Sequence, residues 1–346
     1  MVAQDSLVNV KYEHAFPRCE RGYMLKDYIM KRTVVTLILF LVVLNVQFAV
    51  FWVINPIKPV QFVLDPDFTP EVAERLTKLY GLDQPLHVQY AKYITNMVTL
   101  NFGMSFRSQL PVAQMIMEYL PNTLALVLTA LIIQMVTGIM IGLYAATKRG
   151  KLADLLLTGA GMIMYAMPPF IMLLLFRYIF AEKLLWFPVI GIIVSPSDNL
   201  LYLSEFLYRM ALPLITLVCM GFSSWTFYTR NLSMNVISED FIQMAKAKGV
   251  SERSIMLKHV FRAILPPIIT LVILSLPAVI FGSIVTEYVF TWKGIGWWYL
   301  NSIWGGDYPV VQALFFIYTI MLLVGNFLSD ILYGSLDPRI RVGVRR

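Results

Sequence analysis

Six stretches of at least 20 residues carry no Asp, Glu, Lys, Arg or His: Thr33–Ile54, Asn122–Thr147, Leu155–Phe176, Met210–Thr229, Ala263–Thr286 and Tyr308–Ser329. About 20 apolar residues are what a helix needs to cross the hydrocarbon core of a bilayer. A chain of 346 residues with 58% hydrophobic and 14% charged residues is too apolar for a soluble domain. A membrane β-barrel would show short segments of alternating hydrophobicity instead. The pattern therefore predicts an all-α integral membrane protein with six transmembrane helices.

The first stretch is too long and begins too far into the chain to be a cleaved signal peptide, and no small-residue cleavage site follows it. Cys19 and Cys219 are far apart, and Cys219 lies inside a span, so neither a disulfide framework nor a thiolate metal site is expected. The net charge of +7 is read through its distribution rather than as a nucleic-acid signal. With six spans, the segments 1–32, 148–154, 230–262 and 330–346 share one side and hold 19 Lys and Arg, against 9 on the other. The positive-inside rule places both termini in the cytoplasm.

Residues 1–23 read as a polar N-terminal cytoplasmic extension, and 24–346 as one membrane domain with an outer segment at 55–121. Within that segment Thr69-Pro-Glu opens a helix, Gly81 closes it and Pro85 begins another. Pro121-Asn-Thr opens the second span. Pro168-Pro169 and Pro277 bend the third and fifth spans, either as packing kinks or to shape a pathway. No internal repeat is visible, which argues against an inverted-repeat carrier.

The longest charged helical stretch lies between spans four and five, at 238–262. Ser238-Glu-Asp starts a helix, Gly249 stops it, and Ser251-Glu252 starts a second one running towards Pro266-Pro267. Phe241, Met244 and Ala245 are expected on one face of the first helix; Leu257, Phe261 and Ile264 on one face of the second. Small residues at Ala245, Ala247 and Gly249 suit insertion into a partner's groove. A basic loop lying on anionic lipid accounts for the same charges.

The stretch Ala245-Lys-Ala-Lys-Gly-Val-Ser-Glu-Arg253, with Leu265-Pro266 following, resembles the cytoplasmic coupling loop of ABC importer permeases, and most closely that of the dipeptide/oligopeptide permease family. Tyr80-Gly-Leu-Asp-Gln-Pro85 with Gln89-Tyr90, Phe102-Gly-Met-Ser-Phe-Arg107, Pro121-Asn-Thr123, Asp307-Tyr-Pro-Val-Val-Gln312 and Leu336-Asp-Pro-Arg-Ile-Arg341 resemble further family motifs, in family order. The outer motifs are those of the B-type subunit. Gln243 stands where the family has Glu, and Asn55-Pro-Ile-Lys-Pro59 replaces the family's PGDP.

The resemblance implies the type I importer fold. It implies pairing with a second, C-type permease, two ATP-binding subunits and an extracellular solute-binding protein that delivers peptides or oligosaccharides across the cell membrane. Phe241, Gln243, Met244, Ala245, Ala247, Lys248, Gly249, Ser251, Glu252 and Arg253 would form the ATPase-coupling surface. The chain has no phosphate-loop motif, so ATP and Mg would bind the partner ATPases, and no cofactor, metal or catalytic residue is expected here. Tyr165, Ser275, Ser283 and Thr286 are candidates for the pathway lining, though Ser and Thr also serve helix packing. Glu287, Trp292, Trp297, Trp298 and Trp304 fall on the outside and are candidates for docking the binding protein. An interfacial anchor belt of Trp, with Glu287 and Arg177 snorkelling, explains them equally. Lipid is the remaining partner and nucleic acid is not expected. An ion-coupled carrier or channel would need ionisable groups within the spans. A membrane enzyme or scaffold is a further alternative, but His14, His87 and His259 all lie outside the spans and offer no base.

Overall fold

A computed structural model describes residues 18–54, 83–189 and 200–336, together with the helical positions Glu71, Glu74 and Lys78. The N-terminal extension before residue 18, the Asn55–Pro59 and Thr69-Pro70 motifs, Gly81 and the Asp337–Arg341 motif lie outside these residues. Arg18–Phe48 forms α1, continued by a π-helical turn, Ala49–Ile54. Then come α2 (Leu86–Val98), α3 (Val112–Thr147), α4 (Leu152–Ala166), α5 (Pro169–Phe176, continued by π-helical Arg177–Lys183) and α6 (Leu200–Ile237). The short α7 (Asp240–Ala247) leads through a turn at Glu252–Ser254 and a π-helical segment, Ile255–Val260, into α8 (Phe261–Val289). Ile295–Trp304 is α9 and Tyr308–Leu336 is α10.

Among the described residues, five helices are long and apolar enough to cross a membrane, and the α4–α5 pair makes a sixth if counted as one span. The bend expected at Pro168-Pro169 within the Leu155–Phe176 span amounts to 101° and divides it into two helices. Pro168 forces Met167 out of the helical region, to φ −73° and ψ 127°, and Pro169 occupies the first position of the next helix. The second span differs from expectation. Its helix begins at Val112, so Pro121 sits inside it and costs one backbone bond rather than opening the span.

The bundle has two distinct ends. Helices α1 and α10 run antiparallel. Gln47 Nε2 donates to Gln312 O at 2.7 Å near one end, while Tyr28 Oη donates to Asp330 O at 3.2 Å and Arg32 pairs with Asp330 at 3.1 Å near the other. The Gln47 end gathers the start of α3, the end of α8, and α9. The Tyr28 end gathers the end of α3, the end of α6, and α7. Each has its own core. The first packs Phe48, Tyr93, Phe102, Ile295, Trp298 and Phe316; the second packs Trp225, Ile242, Ile255, Val260 and Ile264.

Between them α3 and α6 lie in close contact. A Cβ at Gly142 would stand 2.7 Å from Thr226 O, and one at Gly138 would collide with Trp225 Cβ. Lipid offers no hydrophobic drive between helices, so close backbone approach at small residues is what holds such a pair together.

Candidate functional site

Helix α7 is held on one face and free on the other. Ile242 and Ala245 are buried against Ile255, Met256 and Val260, whereas Phe241 is 48% exposed and Met244 60%. The expected grouping of Ala245 with Phe241 and Met244 is therefore corrected: the free stripe is Phe241, Met244 and Lys248, at helical spacing, and Ala245 belongs to the core. Likewise Leu257 is exposed while Ile264 is buried. The helix starts at Asp240 with Glu239 as its cap. Ser238, expected to cap it, instead donates to Asn235 O at 2.7 Å and finishes α6. Ala247, Lys248, Ser251, Glu252 and Arg253 are exposed, as is Gln243, which donates to Ile237 O at 3.3 Å.

Gly249 closes α7 at φ +73°. Its N–H donates to Lys246 O at 2.9 Å and that of Val250 to Ala245 O at 3.2 Å, the paired bonds of a Schellman cap. Ser251 then caps the next turn through Ser254 N at 3.4 Å. The glycine turn fixes the angle between the two helical segments with no side chain near it.

Behind this element, Arg230 of α6 grips Asp154 of α4 bidentately, with Nε–Oδ1 and Nη2–Oδ2 both at 2.7 Å. Asp154 Oδ2 also accepts from Gly150 N at 3.1 Å. The pair locks the α3–α4 turn to the stretch of α6 that carries α7. Neither residue stood out in the sequence, because 76 positions separate them and each is an ordinary charge next to a span.

At the opposite end, three of the sequence motifs clasp the chain. Asp307 Oδ1 accepts from Phe106 N at 2.9 Å and Oδ2 from the Ser105 hydroxyl. Burial pushes the Asp307 carboxyl above its usual range, against the opposing pull of the Ser105, Phe106 and Arg107 donors. Arg107 Nε donates to Gly305 O at 3.2 Å. Asn122 Nδ2 donates to Lys293 O at 2.7 Å, Thr123 Oγ1 accepts from Ile295 N at 2.9 Å, and Trp292 Nε1 donates to Asn122 O at 3.0 Å.

Glu287, Trp292 and Trp298 are buried in this clasp, so the expectation that they face an incoming partner is corrected. Glu287 does not snorkel. Its Oε2 accepts from Gly296 N at 2.8 Å and Trp297 N at 3.2 Å, the free donors at the start of α9. Trp297 is half-buried and Trp304 is 79% exposed, the one indole of the four candidate tryptophans in open contact with its surroundings. Arg177 does not snorkel either; Nη1 donates to Val289 O at 2.6 Å and caps the end of α8.

The candidate pathway residues divide in the same way. Ser283 and Thr286 are buried beside Glu287. Ser275 is half-buried and bonds back to Val272 O at 2.7 Å, and Tyr165 is exposed on α4.

A bundle of five or six spans with a rigid helix–glycine–helix element at one end and a sealed clasp at the other defines a class: the multi-pass permease with the type I ABC importer fold. The inward-facing MetNI methionine ABC transporter shares that fold. It aligns with a TM-score of 0.52 at 15% identity, covering 66% of this chain and 98% of its own. The chain belongs to the family described as binding-protein-dependent transport system inner membrane component, which matches residues 138–342, with the family's N-terminal domain over 24–127. The oligopeptide transport system permease protein AppB of Bacillus subtilis is 33% identical over 90% of this chain and 98% of its own length. The glutathione transport system permease protein GsiC of Escherichia coli K12 is 31% identical over 91% and 99%. The chain is thus a permease subunit of an ABC importer, not a self-contained carrier.

Proposed function

We propose that this chain forms half of the membrane pathway of a peptide importer, with α7 as the coupling helix for a separate ATPase. The observation that carries this reading is the two-faced α7: Ile242 and Ala245 anchor it while Phe241 and Met244 are left open on a helix whose exit angle is set by Gly249. Such an element transmits displacement as a rigid body, which is what a change of state imposed by another subunit requires. On this reading the α7 end and both termini are cytoplasmic, as the basic residues there support. The chain itself is non-catalytic. ATP and Mg belong to two ATP-binding partners, a second permease completes the pathway, and a binding protein docks at the clasp end near Trp304. Peptides are favoured over oligosaccharides because the relatives named above are oligopeptide and glutathione permeases.

The test is mild extraction of the tagged chain from its native membrane, with identification of every co-purifying chain. A second permease and phosphate-loop ATPases are the expected companions. A chain that emerges alone, under conditions that keep other importers whole, overturns the reading.

A further inference from the structure

Between α3 and α8 runs an open groove of about 540 Å³ with almost wholly apolar walls, including Val136, Met140 and Leu143 on one side and Phe261, Leu265 and Ile269 on the other. It continues past Met140, Leu143 and Leu257 into a second hollow of about 460 Å³, whose mouth carries Lys148 and Arg253, with Glu252 beside them. Arg149 and Lys246 line an adjoining depression. The change from hydrocarbon to cationic surface occurs within one trench, at the end of the bundle that holds α7.

We propose that this trench is a binding site for an anionic glycerophospholipid, with one acyl chain along α3 and α8 and the phosphate at Lys148 and Arg253. The dimensions match. From Val136 to Lys148 is 12 residues of helix, about 18 Å at 1.5 Å per residue. That is close to the roughly 15 Å depth of one leaflet's hydrocarbon. An extended acyl chain fits along the trench; the competing occupant, a helix from a second permease, is told apart by the cross-linking arm of the test below. The single acidic residue, Glu252, is outweighed by the cations, and basic clusters flanking a span draw anionic lipid. A lipid here would touch the segment that joins α7 to α8, making membrane composition a determinant of how firmly that segment is held.

The measurement is native mass spectrometry of the full chain with its co-purifying partners, released from nanodiscs containing phosphatidylglycerol and phosphatidylcholine. We expect one retained phosphatidylglycerol and little phosphatidylcholine. Each cation removed in Lys148→Gln and Arg253→Gln should lower retention about fivefold, and Met140→Trp, which fills the trench, should abolish it. The glutamine variants sit at the surface and keep the test decisive if Met140→Trp does not fold. Equal retention of both lipids, or retention unchanged by the glutamine variants, overturns the site. Cross-linking of Leu265→Cys to a partner permease in the intact complex, with no lipid retained, assigns the trench to the subunit interface instead. Lipid retention is read independently of transport, so its failure leaves the importer reading standing.

Discussion

Arg230 and Asp154 meet across 76 residues in a bidentate ion pair with both contacts at 2.7 Å, and the carboxylate is almost fully enclosed. Enclosure makes the pair costly to break and of modest net worth when intact. Asp154→Ala leaves a guanidinium without its partner and is expected to lower stability by about 3 kcal/mol, the low end for buried pairs because Arg230 retains some solvent access. The double variant Asp154→Leu with Arg230→Met should recover most of that loss. Thermal melting of the purified variants reads both. A double variant as unstable as the single would show that the pair is more than a balance of two buried charges.

The Gly249 turn is conformational rather than steric, since its φ is +73° and a Cβ placed there would meet no atom within 4 Å. Gly249→Ala should cost about 1 kcal/mol and leave transport largely intact. Gly249→Pro cannot adopt that φ and removes the N–H that bonds Lys246 O. It is expected to abolish uptake of labelled peptide in cells while the chain still reaches the membrane. Normal uptake by the proline variant would remove α7 from the coupling role.

Opposite faces of α7 should respond differently. Phe241→Asp with Met244→Asp changes only exposed positions, so melting should be unchanged while co-purification of the ATPase falls by at least about tenfold, the loss expected of an apolar hot spot worth about 1.4 kcal/mol or more. Ala245→Glu places a charge in the second core and should lower the melting temperature itself. If both variants only melted early, the open stripe would be ordinary surface.

Thr291 occupies the left-handed region at φ 53°, where a β-branched residue is strained. It holds the place that glycine takes in a Schellman cap, with Trp292 N donating to Glu287 O at 2.8 Å and Thr291 N to Tyr288 O at 3.2 Å. Thr291→Gly is expected to stabilise the chain by about 1 kcal/mol. A lower melting temperature would mean that the threonine side chain makes contacts worth more than the strain.

Asp307 gives the clasp a pH dependence. Burial raises its folded-state pKa above that of the unfolded chain. The stability linked to it is therefore fully present below the ordinary carboxylate pKa and is lost as pH rises through the raised folded value. Replacement by Asn keeps acceptance from Phe106 N and should flatten that acid-side slope. Denaturation followed as pH rises from below the ordinary carboxylate pKa towards neutrality would show it; an unchanged slope in Asp307→Asn would assign the dependence elsewhere.

The spans were legible because a bilayer imposes one requirement, some 20 residues without charge, that can be read along a line. The family motifs were legible for the same reason: they are contiguous. The Gly249 stop and the Ser251 start were local too, since a cap depends on its own few residues. Tertiary structure decided the rest. Whether Glu287 snorkels or caps α9, whether Trp292 anchors in lipid or lies sealed beneath Asn122, and which face of α7 stays open all depend on what packs alongside. Helical periodicity groups residues into faces without saying which face is covered, and so Ala245 was placed with the open stripe when Ile255 and Met256 bury it. The Asp154–Arg230 and Ser105–Asp307 contacts join residues 76 and 202 positions apart, and no local pattern encodes a partner at that distance.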